Sequence, residues 1–557
     1  MMLKTSSRKL NPFGNMIGFT TRKNFGIIIV LCILALLYCP GSYIVNFETM
    51  YANRYTAIQI NGTTAAEYTK YFGTVVMISA PLFVLLFNFL NFSFLYKKSA
   101  SDVFHAFPLT RTELLLSRMI SGIISSLVPV VVCSLCYVFM IIFNPWIGDF
   151  GTLLYHLAVT LTIVLIWSAF SLLFVVCAGS SFDLSLSFFG VNLAAVFIAL
   201  IFDNILDETL LGYSNNSEQM LYNLSLPYFC ACYEELRFWI RSIIYISGFT
   251  VATILLYNRR KAEKGGSAYA YKFMYFLCSV IAGICGGYLI GSLFDNDITS
   301  PVFWLFAAIG TILSCIIYGL ITNRGFKGIF RSMLMGGMAI ATMLAVMISG
   351  VTGGFGYSKR VPSAGSIKEV EVYLLGEYLT FTDPNDVIKL HEKAVESATL
   401  HSDYSDENPY TTVEFCYTLK GAAILERDFQ VPIAAVQDEL LTIYKSQERF
   451  EQLKNEISVF SDEYTIEFIY RAPFDSYEYN GTVTEKECQQ LLEAYWKDVQ
   501  NLTDLAFYTD EYSENNGHIS IYISNNNYGY KRHYFSLDIG AQFSNIIAYI
   551  TNTINGY

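Results

Sequence analysis

Nine stretches of this chain, at 25–47, 73–96, 119–143, 153–179, 184–202, 238–257, 273–294, 302–321 and 333–351, are long and apolar enough to cross a bilayer. Crossing takes about 20 residues in a helix, and a continuous apolar run of that length reads as a helical span. The fourth and fifth runs are joined only by "SSFD" (180–183), so a count of eight also fits. The expected fold class is a polytopic α-helical membrane protein of about nine transmembrane helices with a C-terminal extracytoplasmic α+β domain.

Composition agrees. Apolar residues make up 53% of the 557, charged residues 15%, and the mean hydropathy is +0.40; a soluble domain carries about 25% charged residues. The charge is divided. From Tyr357 onward there are 15 Lys/Arg against 32 Asp/Glu, a net −17, while the preceding part is +6.

Lys and Arg placement sets the expected orientation. With the N-terminus inside, seventeen basic residues fall on inner segments: Lys4, Arg8, Lys9, Arg22, Lys23, Lys97, Lys98, Arg111, Arg118, Arg259, Arg260, Lys261, Lys264, Lys272, Arg324, Lys327 and Arg331. Only Arg54, Lys70 and Arg237 fall outside. Nine spans then carry everything after Val351 out of the cytoplasm. Two processing readings are rejected. In "LLYC" (36–39) Tyr38 is too bulky for a lipoprotein cleavage box, and no A-x-A-like site follows the first apolar run. Of twelve cysteines most lie in or beside the spans, where Cys acts as a small hydrophobe. Cys416 and Cys488 fall in the tail, where a disulfide and two separate thiols both fit.

The spans exclude several function classes. Ion-driven transporters and channels place ionisable groups within the membrane. Here the central turns of all nine runs lack Asp, Glu, Lys and Arg; His156 and Arg241 sit near run ends and Asp183 in the short link. No G-x-x-x-x-G-K-[ST] phosphate loop is present, nor H-E-x-x-H, G-x-S-x-G or paired CxxC. The six histidines (105, 156, 391, 401, 518, 533) lack metal-ligand spacing. The chain is therefore expected not to be an enzyme and to hold no cofactor or metal of its own. Gly283, Gly287 and Gly291, at four-residue spacing, form a flat stripe for close helix approach. It suits either a subunit interface or packing within the bundle.

Residues 97–118, "KKSASDVFHAFPLTRTELLLSR", form a polar island between two apolar runs. Ser101 is expected to cap a short helix, with Asp102 favourable in its first turn. Val103, Phe104 and Phe107 are expected on one face, and Pro108 ends the helix. Thr110 and Glu113 form a capping box, with Leu109 and Leu114 at the staple positions, that starts the third span. The stretch thus reads as a short rigid helix with basic residues at both ends.

This segment resembles the one after the second span in type-2 ABC transporter permeases of Gram-positive bacteria. There a Lys-Ser-x-x-x-x-Phe/Tyr-His-x-x-Pro-x-x-Arg pattern recurs, matched here by Lys98, Ser99, Phe104, His105, Pro108 and Arg111. The resemblance implies a coupling helix that docks in a cleft of an ATPase subunit, with Ser101, Asp102, Val103, Phe104, His105, Phe107, Pro108 and Arg111 as the coupling residues. A subgroup with extra spans and a C-terminal extracytoplasmic domain is akin to acetoin-utilisation and peptide-antibiotic permeases. "TTVEFCYTLKGAAILERDFQVPI" (411–433) is similar to that subgroup, departing at Ala422 and Ala423 where Gly-Lys is usual. The N-terminal "SRKLNPFGNMIGFTTRKN" interleaves basic residues with Phe13, Met16, Ile17 and Phe19, as an interfacial helix does.

The domains expected are an interfacial segment (1–24), a six-helix permease core (25–260), three further spans (261–352), a linker (353–366) and the acidic tail (367–557). In the tail, strands are expected at 370–374, 413–417, 466–470 and 519–523 from apolar alternation. Each is followed by a returning strand and then a helix, starting near Asp383, Ala434, Thr484 and Gly540. Four such ββα units imply one antiparallel sheet with a face covered by helices. The tail's negative charge would attract cationic peptides; it equally suits simple solubility.

The function expected is the membrane-spanning permease subunit of an ABC exporter in a bacterial plasma membrane, moved by a helix at about 101–108. Two copies of a separate ATPase would supply ATP and Mg, and a second permease or a copy of this chain would complete the assembly. A peptide or small molecule would be the substrate, and nucleic acid is not expected as a partner. The alternative is a sensor or resistance subunit that detects an extracellular antibiotic or peptide without transporting it.

Overall fold

The structure, a computed structural model, describes residues 12–45, 64–143, 148–214, 217–234, 236–326, 328–375, 377–398, 410–421, 423–458, 464–471, 478–505, 517–525, 532–539 and 542–550. Lys4, Arg8, Lys9, Cys39, Arg54, Lys327, His401 and Ala422 lie outside the described residues or their side chains. The chain divides into two compact units, Met1–Phe202 with Ser217–Met343, and Asp203–Asn216 with Leu344–Tyr557.

The first unit is helical. Its elements are α1 (Pro12–Lys23), α2 (Phe25–Val45), α3 (Thr64–Phe92), a short α4 (Lys98–His105), α5 (Arg111–Phe143), α6 (Phe150–Cys177) and the greater part of α7 (Ser181–Thr209). It continues with α8 (Ser217–Leu224), α9 (Leu226–Ala231), α10 (Leu236–Arg259), α11 (Lys272–Phe294), α12 (Pro301–Asn323) and most of α13 (Ile329–Val351). Among the described residues eight helices are long and apolar enough to cross a membrane, as in a multi-pass membrane protein. The first expected span is instead half of a bent pair, α1 and α2 meeting at 57°, and counting that pair as one span makes nine. The fourth and fifth runs are separate helices, α6 and α7. Helix α6 is the inner one: 72% of its most apolar window is buried against the others.

The glycine stripe of α11 is covered from within the chain. A Cβ on Gly283 would lie 2.7 Å from Cys315 Sγ, one on Gly287 would lie 2.9 Å from Ala307 O, and one on Gly291 would lie 2.9 Å from the Phe303 ring. All three neighbours belong to α12. Of the two readings of the stripe, the one realised is packing inside the bundle, where small residues let two backbones approach.

The second unit carries two four-stranded antiparallel sheets, not one. The first has the order β2-β1-β3-β4, from β1 (Ile367–Leu374), β2 (Glu377–Phe381), β3 (Tyr410–Leu419) and β4 (Ile424–Pro432), with α14 (Asn385–Ser397) after the first pair and α15 (Ile433–Tyr444) after the second. The second sheet repeats this as β6-β5-β7-β8, from β5 (Tyr464–Arg471), β6 (Glu478–Val483), β7 (Gly517–Asn525) and β8 (Arg532–Ile539). Its helices are α17 (Glu485–Asn501) and α18 (Ser544–Tyr549). Between the sheets stands α16 (Gln447–Ser458), which the alternation does not announce. Alternate residues of β1 (Val370, Val372, Leu374) and β3 (Val413, Phe415, Tyr417) point into one core with Val387 and Leu390 of α14. Pairing splits the strands because only β1–β3 and β5–β7 join neighbouring hairpins; side-chain period 2 says that a segment is a strand, not with which partner it pairs. Cys416 is half-buried in β3, Cys488 is buried in α17, and no disulfide joins them.

Candidate functional site

Helix α4 begins at Lys98, three residues before Ser101, with Lys97 extended at its N-cap. Ser101 is therefore not a cap. It is buried inside the helix, and its Oγ lies 3.2 Å from His105 Nδ1. Burial, reinforced by the nearby charge of Arg111, pushes the pKa of His105 down. The helix ends at His105, and Pro108 lies in the turn that follows, exposed to solvent.

The box that starts α5 forms. Thr110 N donates to Glu113 Oε2 at 2.8 Å, Thr110 Oγ1 donates to the same oxygen at 2.8 Å, and Glu113 N donates back to Thr110 Oγ1 at 3.2 Å.

The face of α4 differs from the expectation. Phe104 turns inward, packing on the core with its ring 4.7 Å from that of Phe94. Arg118, 4% exposed in α5, lies against both, its Cζ 4.1 Å from the Phe104 ring centre and 4.4 Å from that of Phe94. Its Nη1 also donates to the carbonyl of Asn91, whose own Nδ2 donates to Arg118 O at 3.3 Å. A desolvated guanidinium against an aromatic ring is worth up to about 2 kcal/mol. Val103 and Phe107, by contrast, are 61% and 42% exposed, and Asp102, Ala106 and Pro108 share the open side.

Two further arginines fix the base of this helix. Arg111 Nη1 donates to Asn258 O at 3.2 Å and to Arg260 O at 2.7 Å, covering the last carbonyls of α10. It does more than place charge on a surface. Arg260, 6% exposed, donates through Nη1 to Val175 O, Val176 O and Ala178 O at 3.2, 2.5 and 2.9 Å, and through Nη2 to Leu95 O at 3.0 Å. A cation over the final carbonyls of a helix satisfies both its orphan acceptors and its macrodipole. Arg260 thus ties the end of α6, the turn after α3 and the end of α10 at one point. The sequence shows it only as the middle of "RRK" and offers no signal for this role.

No group of three or more His, Cys, Asp or Glu among the described residues is placed to hold a metal ion. The site offers a rigid helix with an apolar outer surface, anchored to the ends of several long helices. No protein-family model, curated protein or solved structure matches the chain.

Proposed function

We propose that this chain is the membrane-spanning permease subunit of an ABC exporter, and that a separate ATPase docks on the outer side of α4. The observation that carries the reading is the division of labour on that helix. Phe104 is held inside by Arg118 while Val103 and Phe107 stand exposed on a segment that Arg111 and Arg260 fasten to three helix ends. A freely solvated loop gains nothing from that anchoring; a surface that must transmit force requires it. The polar link, its capping box and the resemblance of 97–118 to type-2 permeases support the same reading. The basic-residue asymmetry favours a cytoplasmic N-terminus in a bacterial plasma membrane and an extracytoplasmic acidic tail.

ATPase binding and hydrolysis would move α4 and, through Arg260, the ends of α3, α6 and α10 as one block. The test is co-purification of an ATPase with Val103→Asp and Phe107→Asp chains, beside export from vesicles whose ion gradients are collapsed while ATP is maintained. Burying a valine or phenylalanine side chain is worth roughly 1.5–3 kcal/mol and burying an unpaired carboxylate costs more, so each change is expected to weaken the association by about tenfold or more. Helical content and melting should not change, because both side chains are exposed. Full retention of ATPase and export in both variants refutes the docking reading. A bound ATPase without export in the parent chain favours the sensor alternative.

A further inference from the structure

The end of the bundle that carries Arg260 also holds a cavity of about 1030 Å³. It opens where α11 and α13 begin and α12 ends. Three cations line it, Lys264, Lys272 and Arg331, and no Asp or Glu is among its lining residues. None of the three forms an ion pair among the described residues. Two helix N-termini, those of α11 and α13, face the same space, and no side chain caps the first of them. Exposed backbone N–H groups and the positive end of the helix dipole add to the attraction for an anion.

The rim of the cavity is built: Gly179 N donates to Ala268 O at 3.1 Å and Gly266 N donates to Gly179 O at 2.8 Å. Tyr269 and Tyr318 hydroxyls are 2.6 Å apart, and Tyr275 Oη lies 3.0 Å from Ser332 Oγ. Below the cations the surface turns apolar. Phe330, Leu334 and Met338 of α13 are exposed at four-residue intervals, one helical face, as are Phe273 and Leu277 of α11, and Phe330 and Phe273 line the cavity itself. A small anion would use the cations and leave this track bare. A ligand with a phosphate at one end and hydrocarbon at the other uses both.

We propose that this cavity is a binding site for an acidic phospholipid, with its phosphate held by Lys264, Lys272 and Arg331 and its acyl chains laid along the exposed faces of α11 and α13. The charge is complementary, the volume is at the upper end of that of small-molecule pockets, and basic pockets between membrane helices suit such headgroups. The turn carrying Lys264 packs beside α4, a Cβ on Gly265 lying 3.5 Å from Lys98 N, but no residue of α4 lines the cavity, and the proposal does not depend on an ATPase.

The experiment reads lipid retained by the purified full chain, by native mass spectrometry, from nanodiscs of phosphatidylcholine containing a minor fraction of phosphatidylglycerol. Lys264→Gln/Lys272→Gln/Arg331→Gln is compared with Arg259→Gln/Lys261→Gln, which removes neighbouring exposed charge outside the cavity. Each cation near an acidic headgroup contributes about fivefold, so the triple variant should retain phosphatidylglycerol about a hundredfold less well. The control pair should retain it as the parent does, and a Lys264→Arg/Lys272→Arg chain, which keeps the charge, should too; this second comparison separates a lost site from a misfolded one. Inorganic phosphate is added in a parallel arm. Equal loss in the control pair means general surface attraction, and displacement by inorganic phosphate means a free-anion site; either outcome, or full retention by the triple variant, overturns the proposal.

Discussion

Removing the negative partner of Arg449 should loosen the acidic tail by a measurable and large amount. Arg449, at the start of α16, has no exposed side-chain surface. Its Nε and Nη2 donate to Glu377 Oε2 and Oε1 at 2.7 and 2.6 Å, a two-pronged pair that joins α16 to β2. Nη1 reaches Tyr444 O and Nη2 reaches the Tyr495 hydroxyl, both at 3.3 Å, and Cζ lies 3.8 Å from the Tyr444 ring centre. In Glu377→Gln the guanidinium loses its counter-charge and meets an amide donor where it had a carboxylate oxygen. Breaking one side of a buried pair costs about 3–5 kcal/mol, whereas replacing both partners by apolar residues of similar volume is near neutral. The buried Cys488 of α17 gives a local readout, because its thiol reacts only when the tail opens. Labelling of Cys488 in the full chain, resolved by peptide mass spectrometry, should accelerate by about a hundredfold to a few thousandfold in Glu377→Gln. Glu377→Leu/Arg449→Met should restore most of the protection. Unchanged labelling in the single variant would show that the charge of Arg449 is neutralised elsewhere and refute the assignment.

Other outcomes follow from the same geometry. His391 is buried against Phe415 and within 2.9 Å of the Tyr417 hydroxyl, and burial, with the charge of Arg427, lowers its pKa from 6.5 to about 4. The unfolded chain therefore takes up this proton first. Stability present above pH 6.5 should fall as the pH drops to about 4, by at most about 3 kcal/mol, and His391→Gln should flatten that slope in hydrogen exchange of β3. Gly287→Leu should drive α11 from α12 and lower the thermal midpoint, since overpacking costs about 1–3 kcal/mol. Gly337→Ala, where a Cβ meets nothing within 4 Å, should not. A membrane-impermeant thiol label applied to intact cells should reach Glu451→Cys and not Arg259→Cys; the reverse pattern would place the acidic tail in the cytoplasm.

What the sequence disclosed, and what it concealed, follows the range of the interactions. Run length fixes where a membrane helix stands, and the strands at Val370–Leu374 and Val413–Tyr417 show in their own alternation. The Thr110–Glu113 box is likewise a contact over three residues, readable where it is made. The facing of Phe104 is not local. Val103, Phe104 and Phe107 look alike on a helical wheel, and what draws only Phe104 inward is Arg118, fourteen positions on, with Phe94 behind it. Ser101 resembles a cap by residue type, yet the chain leaves the preceding turn earlier and the hydroxyl finds His105 instead. Arg111, Arg260 and Arg449 look like solvated charge. Each is identified only by carbonyls, or a carboxylate, 72 to 165 residues away. Strand partners are concealed for the same reason, and so one expected sheet is two.

The position of Arg260 along the chain also bears on how the protein is made. Its acceptors in α6 and at Ala178 just past it precede it by 82 to 85 residues and Leu95 precedes it by 165. A ribosome therefore delivers α3, the α4 segment and all of α6 long before the donor that fastens them together. Until α10 has been inserted and Arg260 has followed it, the carbonyls at the end of α6 lack that guanidinium, and the base of α4 has neither Arg260 at Leu95 nor an α10 terminus for Arg111 to cover. Completion of the α4 surface is thus timed to the synthesis of the helix that ends at Arg259. A nascent chain halted before that point would carry the whole 97–118 sequence without its finished support, so a partner that recognises the anchored helix would pass over unfinished copies.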